Sequence, residues 1–364
     1  MRSVIVLGST GSVGTQTLDL IRSFPERFKL VGLSANQSTE LLEAQRLEFG
    51  LGPDQVALGP EQAAEIAREI SADVLVHGIS GSAGLGATLA ALESGKTLAL
   101  ANKESLIVGG ELVTNIAKPG QIVPVDSEHS ALAQCLRSGS ENEIEKLILT
   151  ASGGPFRGFT AEQLAGVSVE QALKHPTWSM GRIITINSAS MVNKGLEMIE
   201  AQLLFGVPIE KISITVHPQS AVHSMVEYSD GSVIAQCSIT DMKLPIALAL
   251  DWPKRQPGAV EPIDWTQSHL WEFEPIDEQV FKAIPLAREV ALRGLTFPAV
   301  YNAANEQAVE AFLAGQIKFV EIVAIIDQVI EQHNPPAILT LEGVLESEAW
   351  ARRTADSLIA QRIS

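Results

Sequence analysis

The chain has 364 residues, of which 46% are hydrophobic and 19% are charged. That length can bury a large core and exceeds one ordinary domain, so we expect two or three domains. The formal charge of -17 disfavours nucleic acid or an anionic membrane as the main partner, because both attract clustered lysine and arginine.

The cysteines and the amino terminus indicate a cytoplasmic protein. Cys135 and Cys237 lie far apart in apolar contexts and fit no disulfide or CxxC pattern, so we expect a reducing compartment. Met1, Arg2 and Ser3 lead into VIVLG without the apolar region of a signal peptide. Apolar runs also stay short of the roughly 18 residues of a membrane span, so we expect no membrane partner.

The first third of the chain alternates short β-branched runs with helical stretches. This rhythm is typical of buried parallel strands flanked by helices, and it predicts an α/β domain over residues 1–126. The predicted strands are SVIVLG, KLVGLS, DQVALG, DVLVHGI, TLALA and QIVPVD.

The pattern changes from about Leu147 onward and predicts a central α+β domain over residues 127–250. Its mixed or antiparallel sheet is expected from KLILTASGGPF, IITINSAS, ISITVHP and SMVEYSDGSVIAQC. Asp230 and Gly231 form a strong hairpin-turn signal within the last run. An aperiodic stretch rich in Pro and Trp then predicts an extended linker over 251–284. A small helical bundle is expected over 285–364, with helices from Pro298 to Leu313, Phe319 to His333 and Leu341 to Ile363.

The segment VIVLGSTGSVGTQTLDLI reads as a strand, a glycine-rich turn and an amphipathic helix. Gly8, Gly11 and Gly14 leave backbone amides free to approach an anion at the helix N-terminus, as in Rossmann-like dinucleotide sites. Their GxxGxxG spacing departs from the commoner GxGxxG, and a tight strand-to-helix connection is the alternative interpretation. The position of the turn in a βαβ series favours dinucleotide binding.

The end of the second predicted strand bears on the type of nucleotide. An NAD site usually places an acid there for the ribose 2′-hydroxyl, whereas a 2′-phosphate would be repelled by one. This stretch offers the neutral residues Ser34, Asn36, Gln37, Ser38 and Thr39. The pattern favours NADP, although Arg and Lys are missing too, and Ser38 or Thr39 could simply cap a helix that begins at Glu40.

The stretch PVDSEHSALAQCL places two carboxylates, Asp126 and Glu128, on either side of Ser127. An acid or serine N-cap with another acid in the first turn is a favourable helix start. The same carboxylates could hold a hard divalent cation, provided that a third oxygen ligand comes from elsewhere. Both interpretations remain open on the residues alone.

Ordered sequence blocks across essentially the whole chain resemble the 1-deoxy-D-xylulose 5-phosphate reductoisomerase family. They are GSTGSVGTQTL, ALANKESLIVGG, PVDSEHSA, ASGGPFR, HPTWSMG, INSASMVNKGLEMIEA, VHPQSAVHSMVEYSDGSVIAQ and TFPAVYNAANEQAVEAFL. The resemblance implies a homodimeric oxidoreductase that uses NADPH and one Mg2+ or Mn2+ per site. Its substrate would be the sugar phosphate 1-deoxy-D-xylulose 5-phosphate, and its product 2-C-methyl-D-erythritol 4-phosphate for isoprenoid synthesis.

The resemblance also implies roles for single residues. Asp126, Glu128 and Glu197 would be the metal ligands and, with Lys103, the catalytic residues. Spacing alone leaves Glu197 equally explained as a partner of Lys194 at i,i+3, and leaves Glu200 as an equal candidate. The residues expected at the substrate are Lys103, Ser127, Glu128, Ser152, His175, Trp178, Ser188, Asn193, Lys194 and Glu197.

Several of these residues have ordinary alternative roles. Lys103 could be a solvated loop lysine, and Ser188 and Asn193 could belong to a turn before a helix at Gly195. The segment HPTWSMG has the composition of a closing lid, in which Trp178 would cover the substrate. His217 and His223 are expected to be structural.

The cofactor is expected to contact the glycine-rich turn, the end of the second strand and a few residues nearer the substrate. These residues are Gly8, Ser9, Thr10, Gly11, Ser12, Val13, Gly14, Ala35, Asn36, Gln37, Asn102, Glu104 and Gly181. Gln37 stands where some family members carry a basic residue, and Thr240 where proline is common. The first departure leaves the preference for NADPH over NADH open.

Two other classes of protein remain as alternatives. A plain NADP-dependent dehydrogenase or semialdehyde reductase would need a catalytic cysteine or an acid/base pair, and Cys135 lies in an apolar helix where it makes a poor nucleophile. A dinucleotide-sensing regulator would use the carboxylates as helix caps only. A requirement for a divalent cation in turnover separates the three.

Overall fold

A computed structural model describes residues 1–178 and 180–363. Ser179, which belongs to the predicted lid segment, and Ser364 lie outside the described residues. The strands are β1 Arg2–Leu7, β2 Phe28–Ala35, β3 Val56–Leu58, β4 Val74–His77, β5 Thr97–Leu100, β6 Ile122–Pro124, β7 Ile144–Ala151, β8 Ile212–Val216, β9 Val222–Tyr228, β10 Val233–Cys237 and β11 Glu274–Pro275.

The α-helices follow the strands along the chain. They are α1 Ser12–Ser23, α2 Thr39–Glu48, α3 Pro60–Glu69, α4 Leu85–Glu93, α5 Lys103–Gly109, α6 Glu111–Thr114, α7 Ser127–Cys135, α8 Ala161–Leu164, α9 Val169–Ala172, α10 Arg182–Ala189, α11 Val192–Phe205, α12 Lys243–Leu250, α13 Ala283–Arg293, α14 Phe297–Leu313, α15 Glu321–Gln332 and α16 Leu341–Ile363.

The fold divides into two compact units. The first contains residues 1–106, 113–133 and 241–263, and the second contains 107–112, 134–240 and 264–364. The division into segments 1–126, 127–250, 251–284 and 285–364 stays a prediction.

The sheet of the first unit is parallel throughout, with strand order β3-β2-β1-β4-β5-β6. Each strand falls on one of the β-branched runs, so the predicted parallel α/β architecture of this part of the chain is confirmed. The side chains of Val4, Ile5 and Val6 on β1 are fully buried, as expected for a central parallel strand. The strand order reverses between β1 and β4, and open α/β sheets bind ligands at the carboxyl ends of the strands beside such a reversal.

The sheet of the second unit is mixed, as predicted, with strand order β10-β9-β7-β8-β11. β7 and β8 are parallel, and the other neighbouring pairs are antiparallel. The predicted hairpin turn joins β9 to β10: Gly231 adopts φ 84°, and Asp230 Oδ1 accepts a hydrogen bond of 2.9 Å from the Ser232 amide.

One predicted sheet segment is wrong, because IITINSAS forms helix α10. Gly181 supplies an extended N-cap residue, and the Thr185 hydroxyl bonds its carbonyl at 2.9 Å. Thr185 and Ile186 are buried whereas Ile183 and Ile184 are exposed, so the isoleucine run divides between two helix faces. The next helix, α11, begins at Val192 and not at Gly195, after Met191 in the left-handed region at φ 63°.

The predicted carboxyl-terminal helices are confirmed as α14, α15 and α16, and α13 precedes them. α14 contributes much of this core, including the fully buried Tyr301. Within the described residues, we find no helix that combines the length and the apolar character needed to cross a membrane.

Candidate active site

The glycine-rich turn between β1 and α1 needs glycine for steric reasons. Gly8 adopts φ 75°, and a Cβ there would lie 2.5 Å from the Gly78 carbonyl oxygen. A Cβ at Gly14 would lie 2.3 Å from the Gly8 carbonyl oxygen. α1 begins after Gly11 without a side-chain cap, so its first amides can meet an anion together with the positive end of the helix dipole.

At the end of β2, Ser34 hydrogen-bonds the glycine-rich turn, whereas the residues after Ala35 face solvent. The Ser34 hydroxyl accepts a 3.2 Å bond from the Gly8 amide, and the Ser34 carbonyl accepts a 2.8 Å bond from the Ser9 amide. Asn36 and Gln37 are exposed. Ser38 is the N-cap residue of α2, yet its side chain makes no capping bond. Ser34 therefore supports the turn, and the exposed pair is open to a nucleotide.

The side-chain amide of Asn102 both donates and accepts hydrogen bonds within the first unit. Its Nδ2 donates to the carbonyl of Ile79 and, at 2.7 Å, to that of Gly81, while its Oδ1 accepts a 2.6 Å bond from the Ser105 amide. The side chain is 1% exposed. Asn102 thus shapes the loop after β4, and its expected contact with the cofactor stays a prediction.

His77 was missed by sequence reasoning, because a single histidine at a strand end carries no chemical signature. Its imidazole is fully buried, and Nε2 lies 2.9 Å from the Gly84 carbonyl oxygen. The His77 carbonyl also accepts bonds from the amides of Ala101 and Asn102. Burial lowers the pKa of His77 to about 4, so the ring is neutral at pH 7 and Nε2 donates to Gly84.

Lys103 and Asp126 form an ion pair at the carboxyl ends of the neighbouring strands β5 and β6. Lys103 is 9% exposed, so it is not a solvated loop lysine. The Ser127 hydroxyl donates to Glu128 Oε2 at 2.6 Å. A carboxylate oxygen of Asp126 lies within 4.8 Å of one from Glu128. Asp126 therefore lies just before α7 and Glu128 in its first turn, and the two acids place carboxylate oxygens close together.

Glu197 lies on α11 in the second unit, where Lys194 Nζ and Asn193 Nδ2 both donate to its carboxylate. Glu197 and Lys194 are only 1% and 5% exposed, so their i,i+3 relationship is a buried ion pair and not a surface contact. Glu200, the equal candidate by spacing, is fully buried on the same helix. A Cβ at Gly195 would lie 2.8 Å from the Ala287 Cβ, which shows how tightly α11 packs against α13.

The residues expected at the substrate phosphate include a hydrogen-bonded pair at the end of β7. Nδ1 of His175 accepts bonds from the amides of Thr177 and Trp178, at 3.2 and 2.9 Å. The proton of the neutral ring is therefore on Nε2, which donates to Ser152 Oγ at 3.1 Å. Burial lowers the pKa of His175, which keeps the ring neutral near pH 7. Ser152 Oγ also accepts from the Gly154 amide at 3.2 Å, so its own proton is directed to a further acceptor.

The predicted lid and the end of α10 lie in the same unit. The Trp178 indole is half-buried, with its centroid 6.5 Å from that of His223, whose Nε2 lies 2.9 Å from Ser238 Oγ. Gly181 is exposed. Ser188 is half-buried, and a Cβ at Gly154 would lie 3.3 Å from its carbonyl oxygen. Ser188 therefore lies against the turn that follows Ser152.

Comparison with known proteins decides the family. Three family models match: 1-deoxy-D-xylulose 5-phosphate reductoisomerase over residues 4–56 and 52–110, its C-terminal domain over 122–205, and the DXP reductoisomerase C-terminal domain over 237–354. The 1-deoxy-D-xylulose 5-phosphate reductoisomerase of Leifsonia xyli subsp. xyli is 56% identical over 361 residues, which cover 99% of each chain. The chain belongs to the 1-deoxy-D-xylulose 5-phosphate reductoisomerase family. A second relative, from Mycobacterium marinum, is 54% identical and covers 98% of this chain and 93% of its own.

Solved reductoisomerase structures have the same fold. A DOX-P reductoisomerase in complex with NADPH, fosmidomycin and magnesium has a TM-score of 0.90 and 38% identity, covering 99% of this chain and 98% of its own. The Zymomonas mobilis enzyme in complex with NADPH has a TM-score of 0.90 and 40% identity, covering 98% of this chain and 99% of its own. The α/β fold and the assignment to an oxidoreductase family are thereby confirmed.

Cys135 has the properties of a structural residue in this reductoisomerase family member. The residue is 3% exposed, and burial raises the pKa of its thiol to about 12. A nucleophilic cysteine needs a thiolate, which is favoured by exposure and nearby positive charge. The thiol is therefore inert near neutral pH, as the apolar sequence context indicated.

Proposed function

We propose that this chain converts 1-deoxy-D-xylulose 5-phosphate to 2-C-methyl-D-erythritol 4-phosphate with NADPH and a divalent cation. The step belongs to non-mevalonate isoprenoid precursor synthesis. The observation that carries the proposal is the 56% identity to a named reductoisomerase over nearly the whole of both chains. Complexes of related structures with NADPH and magnesium support the choice of cofactors.

Asp126, Glu128 and Glu197 would hold the cation, either Mg2+ or Mn2+. The donor set fits, because hard divalent cations prefer carboxylate oxygens and these residues offer no sulfur ligand. When bound, the cation supplies a Lewis acid that polarises the adjacent hydroxyl and ketone oxygens of the substrate. Support comes from the short separation of the Asp126 and Glu128 oxygens and from the burial of Glu197. Lys103 holds Asp126 through their ion pair and places a positive charge beside it.

NADPH, when bound, supplies the hydride that reduces the rearranged aldehyde. The turn from Gly8 to Gly14 would bind its pyrophosphate, because the uncapped amides of α1 favour an anion. Ala35, Asn36 and Gln37 would meet the adenosine end. This stretch carries no carboxylate that would repel a 2′-phosphate.

The phosphate of the substrate would be bound by the ammonium group of Lys194 and by several neutral donors. The neutral donors are Ser152, His175, Ser188 and Asn193. Together these residues concentrate donors locally in a protein of net negative charge. The neutral His175 orients Ser152 so that its hydroxyl proton can be donated to a phosphate oxygen. Ser127 would hydrogen-bond a substrate hydroxyl, and Trp178 would cover the substrate and exclude water.

The protein acts as a homodimer in the cytoplasm under this proposal. β10 lies at the edge of its sheet, where its outer backbone groups are available to pair with another chain. Its apolar residues Val233 and Ile234 are 47% and 36% exposed, which also favours contact with a second subunit. Both cysteines are free thiols, which fits a reducing compartment. Light scattering of the purified protein tests the dimer.

A cofactor-oxidation assay tests the proposed reaction. Protein treated with a chelator and then desalted should not oxidise NADPH in the presence of 1-deoxy-D-xylulose 5-phosphate, and Mg2+ or Mn2+ should restore the activity. Turnover that needs no cation would instead favour a plain dehydrogenase. NADPH binding without any turnover, with or without cation, would favour a regulator that senses the dinucleotide.

A further inference from the structure

Helix α2 carries a buried polar residue on its inner face. Of its residues, Leu42 and Gln45 are buried, and Gln45 is only 4% exposed. A buried glutamine is costly unless its amide is hydrogen-bonded, so its presence beside a leucine needs a partner to explain it.

That partner is Ser9, the second residue of the glycine-rich turn. The Ser9 hydroxyl donates to Gln45 Oε1 at 2.7 Å, and Gln45 Nε2 donates to the Ser9 carbonyl oxygen at 3.1 Å. Ser9 is fully buried. The pair is therefore reciprocal and shielded from water, where hydrogen bonds fix geometry most strongly.

Ser34 holds the same turn from β2 through the bonds to the amides of Gly8 and Ser9. The turn is thus connected to the end of β2 by Ser34 and to α2 by Gln45. The exposed residues Asn36 and Gln37 lie between these two attachments, immediately before α2 begins at Thr39. The segment expected at the adenosine phosphate is therefore fixed to the turn expected at the pyrophosphate.

We propose that Gln45 is a positioning residue that sets the separation between the pyrophosphate turn and the adenosine-phosphate segment. The inference rests on the proposed use of NADPH, and it adds a residue that touches no ligand. A ligand that spans both segments gains from their fixed arrangement, because the protein need not order them on binding. A ligand that meets one segment alone gains nothing from it.

Calorimetric titration with two ligands tests this role. NADPH spans both segments, whereas adenosine 2′-monophosphate occupies the adenosine end alone. Gln45→Met keeps the length of the side chain and removes both hydrogen bonds. In this variant we expect the arrangement that binds NADPH to fall to about a tenth of the population, so NADPH should bind about tenfold more weakly. Adenosine 2′-monophosphate should bind as it does to the wild type, and the KM of the sugar phosphate should not change.

Leu42→Ala is the matched control, because it removes buried packing from the same helix and leaves the Gln45 bonds in place. It should lower the melting temperature without weakening NADPH. Gln45→Leu also removes both hydrogen bonds, with a shorter side chain, and should weaken NADPH binding as Gln45→Met does, which keeps the test usable if one variant folds poorly.

The inference is overturned if Gln45→Met binds NADPH as tightly as the wild type. It is also overturned if Leu42→Ala reproduces the loss, or if adenosine 2′-monophosphate is weakened equally, since α2 would then be merely loosened. Wild-type protein that binds no NADPH would overturn the proposed function itself, and the inference with it.

Discussion

Lys194 donates a hydrogen bond to the carboxylate of Glu197 one turn further along α11, and both side chains are almost completely buried. A buried ion pair costs desolvation, and removing one partner leaves the other charge without compensation. Glu197 therefore has a role in the fold of the second unit as well as its proposed role as a cation ligand. A test of Glu197 has to separate the two.

We predict that Glu197→Gln lowers turnover by about a hundredfold or more, because it removes a negative charge from the cation site. Gln keeps one acceptor oxygen for Lys194 but removes the charge that compensates the buried ammonium, so the free energy of unfolding should fall by about 3–5 kcal/mol. Steady-state assays well below the melting temperature measure the first effect, and urea unfolding the second. A circular dichroism spectrum that matches the wild type is the control for correct folding, and NADPH affinity should be unchanged. Full activity in this variant would remove Glu197 from the site.

Trp178→Ala should reduce kcat/KM by about tenfold or more. In its proposed role as a lid residue, Trp178 covers the substrate and excludes water, and alanine is too small to do so. Its unfolding free energy should stay within about 1 kcal/mol of the wild type, since the indole is only half-buried. Trp178→Phe is the matched control and should recover much of the activity. Unchanged kinetics with a large fall in melting temperature would instead make Trp178 a core residue.

His77 predicts a specific acid sensitivity. Its pKa is about 4 in the folded protein against 6.5 for an ordinary histidine, so the unfolded chain binds the proton more readily. The contribution of His77 to stability is therefore present above about pH 6.5 and decreases as pH falls toward 4, by up to about 3 kcal/mol.

Melting curves of the wild type and of His77→Asn between pH 7.5 and 4.5 check this effect. The variant should be less stable at pH 7.5, because the bond to Gly84 is lost, and its stability should decline less steeply with acid. Parallel curves for the two proteins would show that His77 does not titrate in this range.

Cys135→Ser should retain wild-type turnover, because a thiol with a pKa of about 12 supplies almost no thiolate at pH 7. Iodoacetamide should likewise leave the activity of the native protein intact. A small loss of stability, about 1 kcal/mol, is expected from placing a hydroxyl in this buried position. Loss of turnover in a folded variant would favour the cysteine-dependent dehydrogenase.

Local patterns were sufficient to predict the strands of the first unit and the hairpin at Asp230 and Gly231. Both depend on signals within a few residues: β-branched runs bounded by helices in one case, and a turn dipeptide in the other. The prediction of a strand at IITINSAS was wrong for the same reason, because its β-branched residues are typical of strands. The Gly181 cap and the burial of Thr185 and Ile186 override that propensity.

The predicted site residues came mainly from the family resemblance, and the contacts that support them could not be seen in the sequence. The hydrogen-bonded residues Ser9 and Gln45 are 36 positions apart in the sequence, and the bonded pair Asn102 and Ile79 is 23 positions apart. Such pairs depend on how helices and loops meet the sheet, which no periodicity encodes. The i,i+3 spacing of Lys194 and Glu197 was visible, but its burial was not.

The central claim is that Asp126, Glu128 and Glu197 bind one divalent cation. An anomalous difference map from a crystal soaked in Mn2+ tests it most directly. We predict a single strong peak within coordination distance of a carboxylate oxygen from each of the three residues. A Mn2+ peak bound elsewhere, or none at these carboxylates in crystals that hold NADPH and substrate, would contradict the account.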